Sequence, residues 1–241
     1  MEEHKFVIVG WFNSFLKWLL AAFGVHVDQS KELVPTHIVM ALIVMIIILI
    51  LFKSTVKKLS LSKPGKIQYV LELYYKFFRS LVDDMIGEEG RKFIPALATL
   101  GAFIAVSNLL GLFPELSSPT ANLNVTVGCA IFMFLYYHYQ GVRKHGLFGY
   151  IKTFMGPVWW LSWLFFPIEV VSHFSRPLSL SMRLFGNIFG EDLVIVIIAS
   201  LVPFIAPMPV MALAIFTSLL QAFIFVMLST IYLAGAMAQE H

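Results

Sequence analysis

The chain has 241 residues, 59% of them hydrophobic and 13% charged, and a mean hydropathy of +0.84. Soluble domains run at about 45–50% apolar and about 25% charged residues, so this composition excludes an ordinary soluble domain and points to a single polytopic membrane bundle. A net charge of +3 gives no hint of a nucleic-acid partner, and a single cysteine, Cys129, excludes an internal disulfide and a cysteine-based metal cluster.

Residues 1–35 read as an N-terminal segment on the external side. Its apolar stretch, 6–23, is broken by Asn13 and Lys17, and acids precede it where a secretory signal would be basic. An interfacial amphipathic helix that stays on the protein is expected. The first span is 36–52, rich in Ile, Val and Leu. After Pro64-Gly65 comes an amphipathic stretch, 66–89. Ile67, Val70, Leu71, Tyr74, Phe77, Phe78, Leu81 and Met85 recur there at i, i+3, i+4 spacing. Gln68, Glu72, Lys76, Arg79 and Asp83 take the other side. This predicts a helix on the cytoplasmic surface; the same pattern suits a helix that docks on a soluble partner. The second and third spans are 93–113 and 123–140, each near the roughly 20 residues that cross about 30 Å of hydrocarbon. Within the third, Cys129 reads as a small hydrophobe.

The last two segments, 158–205 and 209–238, are longer than one crossing needs. Excess length is absorbed by tilt, so they predict a strongly tilted hairpin turning at Val-Pro-Phe-Ile-Ala-Pro-Met-Pro, 202–209. The predicted fold class is therefore an all-α polytopic membrane protein of about five crossings, in a single membrane domain. Lys53, Lys57, Lys58, Lys63 and Lys66 follow the first span, and Arg143, Lys144 and Lys152 follow the third. The positive-inside rule then puts those loops in the cytoplasm, the N-terminus outside and the C-terminus inside.

The fourth segment carries the chemistry. It holds Glu169, His173, Arg176, Arg183, Asn187, Glu191 and Asp192. A guanidinium at the centre of a spanning helix costs about 2.5–3.5 kcal/mol on insertion scales and cannot shed its charge. With Arg183 at zero and about 100° per residue, Arg176 and Ser172 lie about 20° away. Ser179, Asn187 and Glu169 lie about 40° away, so six polar residues form one stripe. Glu169 precedes Arg183 by about 21 Å along the axis, and Asp192 follows by about 13 Å with Glu191 beside it. An arginine thus separates an inner carboxylate from an outer pair. Water or protons reaching it from either side are stopped, because a fixed cation repels hydronium and a permanent donor relays no proton.

Plainer roles exist for these residues. Arg183 could form an internal ion pair with Glu191 or Asp192, although neither shares its face closely. Glu169 could simply reach the headgroups, and Arg176 could be structural or snorkel to the interface. His173, about 80° off the stripe, reads as a packed or interfacial histidine rather than a relay. On the last segment Thr217, Ser218, Gln221, Ser229 and Thr230 offer a polar surface, with Gln221 expected to face Arg183 or Asn187. A secondary ion-coupled transporter is the alternative function; it predicts two pseudo-symmetric halves, and no internal repeat is visible. A purely structural scaffold would predict no cost on replacing Arg183.

At these residues the chain resembles a known family, subunit a of the F-type ATP synthases in its bacterial form. The likeness runs through Val-Asp-Gln-Ser at 27–30, Pro-Gly-Lys at 64–66, Ser-Asn-Leu-Leu-Gly-Leu-Phe-Pro at 107–114 and Asn-Leu-Asn-Val-Thr at 122–126. It is most specific in Ser-Arg-Pro-Leu-Ser-Leu-Ser-Met-Arg-Leu-Phe-Gly-Asn, 175–187, and Leu-Gln-Ala-Phe-Ile-Phe, 220–225. The resemblance implies a non-catalytic stator subunit in the bacterial inner membrane. It would face a ring of c subunits, be held by the subunit b peripheral stalk, and couple proton translocation to rotation and so to ATP synthesis. It implies no cofactor and no nucleotide bound by this chain. It makes Arg183 the essential arginine, with Ser179 on the same stripe. Asn187, Asp192 and Gln221 would belong to an outer half-channel, and Glu169, with Ser172 nearby, to an inner one. One departure stands out. Several relatives carry His or Glu seven residues before the glutamine that matches Gln221, where this chain has Ala214; Glu191 is expected to replace it from the preceding helix.

Overall fold

The computed structural model describes residues 7–22, 33–60, 64–113, 116–154, 159–202 and 205–238. Every regular element among them is helical. The α-helices are α1 (Val7–Ala22), α2 (Thr36–Val56), α3 (Lys66–Met85), α4 (Ile94–Gly111), α5 (Leu123–Thr153), α6 (Ser162–Leu201) and α7 (Pro207–Met237). Among the described residues, α2, the segment Glu88–Gly111, α6 and α7 are long and apolar enough to cross a membrane. These match four of the five expected crossings. The fifth, 123–140, lies inside α5, which is long enough but less apolar, because Asn124 and the run from Tyr136 to Gln140 dilute it.

The boundaries differ from expectation in instructive ways. α2 runs one turn past Phe52, to Val56, since a lysine at a helix C-terminus favours the macrodipole and its stem continues the apolar surface. The surface helix stops at Met85 rather than 89. There the Gly87 N–H bonds back to the Val82 and Asp83 carbonyls, and Gly87 takes φ = 87°, open to glycine at little cost. A short 3-10 turn, Glu88–Phe93, then leads into α4. Arg91 clamps Asp83 across this turn with two hydrogen bonds of 2.8 and 3.0 Å, which holds the Asp83 carboxyl below the usual carboxylate range. α5 continues through the expected loop to Thr153, turning at Gly146, where φ is +73°.

α1 packs against α2, with Val9, Val39 and Met40 in a small core. Asn13 is no mere interruption of its helix. Its amide donates to the Val9 and Val34 carbonyls and accepts the Val34 N–H, tying the helix to the segment that enters α2. The rest of the expected N-terminal helix, residues 6 and 23, lies outside the described residues, as do the 27–30 motif and the turn at 203–204.

The main core is built by α4, α5, α6 and α7, with Phe93, Leu97, Ile104, Met133, Leu184, Phe225 and Leu233 all buried. Lipid is as apolar as these side chains, so tight packing and internal hydrogen bonds must hold the helices together. Gly101 shows the packing: a Cβ there would sit 2.9 Å from Phe78 Cζ, 2.9 Å from Val226 Cγ2 and 3.1 Å from the Tyr74 hydroxyl. The absent side chain lets α3 and α7 close on α4. Only part of the apolar stripe of α3 is used in this docking. Phe78 and Val82 are buried and the Tyr74 hydroxyl donates to the Ala98 carbonyl at 2.7 Å, whereas Ile67, Val70 and Phe77 stay exposed.

Hydrogen bonding concentrates at the end of α4. Asn108 Nδ2 donates to the Ser218 carbonyl of α7 at 3.1 Å, and Asn108 Oδ1 accepts from Thr120 at 2.6 Å. Ser118, beside Thr120, donates to the Ser107 carbonyl at 3.0 Å. All five residues are buried. Asn108→Ala is expected to remove both bonds and take from the Thr120 hydroxyl its amide acceptor, at about 1–3 kcal/mol in all. The thermal unfolding midpoint of the detergent-solubilised protein should fall, and an unchanged midpoint would contradict this.

α6 and α7 form the long hairpin. Forty residues span about 60 Å at 1.5 Å per residue, twice the hydrocarbon thickness. Pro167 and Pro177 lie inside α6, which nevertheless remains helical from end to end. Each removes one backbone hydrogen bond, yet neither ends the helix.

Candidate functional site

α6 buries one narrow seam. His173, Leu180, Leu184 and Ile188 are all buried, at the seven- and four-residue spacing of a single helix face. α5 and α7 pack against α6. The expected polar stripe lies beside this seam, on the uncovered side. Ser179, Arg183 and Asn187 are exposed, while Glu169, Ser172 and Arg176 are half-buried. Arg183 is therefore presented away from the bundle. Among the described residues no carboxylate lies within ion-pair distance of its guanidinium; the ion pairs that form join other residues. An internal pair with Glu191 or Asp192 does not account for it.

On the N-terminal side of Arg183, Glu169 is tied down. Its Oε1 lies 3.1 Å from His173 Nε2 and 3.6 Å from Arg176 Nη2. His173 Nδ1 lies 3.2 Å from the Tyr137 hydroxyl of α5. The Arg176 guanidinium sits 5.3 Å from the centre of the Tyr232 ring of α7, in cation–π geometry. Arg176 thus has the structural role that was one of its expected readings. Among the described residues Ser172 is not joined to this group; its carbonyl accepts the Ser175 hydroxyl at 2.7 Å, a local bond along the helix.

On the C-terminal side, α7 meets the stripe. Asn187 Nδ2 donates to Gln221 Oε1 at 2.6 Å, so Gln221 faces Asn187 rather than Arg183. Gln221 is 1% exposed, and its Nε2 is buried with no protein partner. The Thr217 hydroxyl reaches Glu191 Oε2 at 2.8 Å and also lies 3.1 Å from the Ala214 carbonyl. A hydroxyl has one hydrogen, and a carboxylate is the stronger acceptor. The other Glu191 oxygen is buried without a protein partner. Asp192 is half-buried on the same turn.

Of the expected site residues, Asn187 with Gln221 and Glu191 with Thr217 are brought into contact, while Arg183 and Ser179 stand clear on the exposed face. Sequence reading missed Tyr137, and it placed His173 correctly as packed without finding what it packs on. The run Tyr136-Tyr137-His138-Tyr139 in an apolar segment was the available signal. Its facing, though, depends on how α5 rotates against α6. No set of three or more His, Cys, Asp or Glu side chains able to hold a metal occurs among the described residues.

Fold and site together define a polytopic, all-helical membrane protein whose long hairpin carries ionisable groups along α6. A sequence-family model described as ATP synthase A chain matches residues 38–234. The chain is 45% identical over 206 residues to ATP synthase subunit a of Sulfurihydrogenibium sp. (strain YO3AOP1), covering 85% of this chain and 99% of that one. It is 42% identical over 218 residues to ATP synthase subunit a of Geobacter sulfurreducens, covering 88% and 95%. With ATP synthase subunit a 2 of Syntrophotalea carbinolica it shares 40% identity over 248 residues, covering 99% of each. The chain belongs to the ATP synthase A chain family.

Proposed function

We propose that this chain is the ion-translocating stator subunit of the membrane sector of a bacterial ATP synthase. It stands against a ring of c subunits and is held by the subunit b stalk. Arg183 separates an inner half-channel, containing Glu169 and Ser172, from an outer one containing Asn187, Glu191, Asp192 and Gln221. The chain carries out no ATP chemistry itself. The observation that carries this reading is Arg183: a permanent cation on the exposed face of a spanning helix, between Glu169 and Glu191, whose carboxylates make their bonds elsewhere.

The mechanism follows from charge and solvent. A rotor carboxylate protonated from the outer side is neutral and can face lipid. After nearly a full turn it meets the inner half-channel and releases its proton. The carboxylate left behind is tolerated only beside Arg183. At an effective dielectric of 20 and 4 Å that attraction is about 4 kcal/mol. A charge crossing 100 mV gains about 2.3 kcal/mol. The two are comparable, so the pair holds the charge yet yields to reprotonation, whereas a much deeper pair would stall rotation.

Orientation enters through the lysine-rich loops, which put Glu169 on the cytoplasmic side. The relatives' name, ATP synthase subunit a, supports the same reading. Replacing Arg183 and measuring ATP-driven proton pumping in membrane vesicles tests it.

A further inference from the structure

We propose that His173 is a positioning residue for Glu169, holding its carboxylate from the buried side through Nε2–H, with Tyr137 fixing the imidazole tautomer. This rests on the inner half-channel role proposed for Glu169.

The bonding pattern assigns the hydrogens. A carboxylate beside Arg176 only accepts, so His173 Nε2, 3.1 Å from Glu169 Oε1, must carry the hydrogen. In a neutral imidazole the other nitrogen then accepts, and the Tyr137 hydroxyl, 3.2 Å from Nδ1, donates to it. Moving the single hydrogen of the neutral ring to Nδ1 would set an unprotonated Nε2 against the carboxylate, two acceptors face to face.

The surroundings hold the ring in place. Tyr137 is 1% exposed, and the His173 side chain is 11% exposed, against 40% for Glu169. The imidazole centre lies 4.6 Å from that of Phe154, 5.1 Å from His138 and 5.9 Å from Tyr137. His138 in turn is bonded to the Tyr150 hydroxyl at 2.7 Å. The titratable or charged groups around His173 are therefore Glu169 and Arg176 on α6, Tyr137, His138 and Tyr150 on α5, and Tyr232 of α7 behind Arg176. A long, half-exposed acid is thus anchored to a rigid aromatic wall. Arg176 alone, at 3.6 Å, would leave its carboxylate free to swing. Misplacement of a reacting group by about 1 Å can cost about a hundredfold in rate.

The test uses membrane vesicles carrying the whole complex, with ATP-driven proton pumping read by a pH-sensitive dye. Recovery of the chain in the detergent-extracted complex reports assembly. His173→Leu is expected to lower the pumping rate about tenfold. His173→Gln, whose amide nitrogen falls where Nε2 was, should recover most of the loss. In a Glu169→Gln background His173→Leu should add nothing, because its effect passes through that carboxylate. Normal pumping by His173→Leu, or an equal further loss in the Glu169→Gln background, overturns the proposal. If His173→Leu does not assemble, His173→Gln must outpump His173→Asn, whose amide mimics Nδ1 instead; the reverse order overturns it. Full pumping by Glu169→Gln overturns the inner half-channel reading itself. An impaired Glu169→Gln with an unimpaired His173→Leu overturns this proposal alone.

Discussion

Arg183→Ala should assemble and lose ATP-driven proton pumping. Assembly is expected because the Arg183 side chain is exposed and makes no ion pair among the described residues, so its removal leaves no buried partner stranded. The seam that packs α6, formed by Leu180, Leu184 and Ile188, is untouched. Loss of pumping is expected because, among the described residues, the exposed face of α6 carries no other cation to hold a rotor carboxylate. About 4 kcal/mol of counter-charge stabilisation corresponds to about a thousandfold in rate, which puts the variant below detection. Arg183→Lys should fail largely as well. An ammonium is a compact point charge that can lose its proton when desolvated, and it lacks the guanidinium fork. Pumping retained by Arg183→Ala in membrane vesicles would overturn the proposed function.

Glu191→Gln should slow pumping by about a hundredfold, the lower end of what a proton-transferring group contributes. Relatives with His or Glu at the position of Ala214 place a titratable group on the last helix; here that position is a buried alanine, 1% exposed. The Thr217 hydroxyl bridges the gap, 2.8 Å from Glu191 and 3.1 Å from the Ala214 carbonyl. The Glu191 carboxylate therefore lies one hydroxyl away from the turn that lacks its own acid. Thr217→Val removes that hydroxyl and leaves the carboxylate, so a smaller, severalfold loss is expected. If Glu191→Gln pumps normally while Asp192→Asn does not, the outer relay belongs to Asp192 and the compensation idea fails.

Much of this site was legible before any coordinates. Composition and segment length settled the class, and helical periodicity put Ser179, Arg183 and Asn187 on a common face that is indeed exposed. Periodicity worked here because α6 stays helical through two prolines. It was silent about α5, where the tyrosines and histidines sit side by side and several faces are equally plausible. Asn13 does interrupt an apolar run, as read, but its partner Val34 lies 21 residues away and no local pattern shows the bond. Asn108 belongs to a motif that carried the resemblance, but its tie to Ser218 spans 110 residues. No spacing rule reaches that far.

What the sequence determined by itself was the membrane, the long hairpin and the order of charges along it. These are one-dimensional properties: hydropathy, segment length and the 3.6-residue repeat are set by the chain's own covalent order. The tertiary structure decided which polar groups satisfy one another. Gln221 took Asn187, Glu191 took Thr217, and Glu169 took His173 with Tyr137 behind it. Those pairings depend on how α5 and α7 rotate and slide against α6. On the α7 side, Gly101 of α4 contributes by having no side chain, which admits Val226. Hydrocarbon offers stranded polar groups no water, so the packing that brings the helices together also fixes the bonds they make. Arg183, turned outward from all of these pairings, keeps its charge available to a group outside the chain.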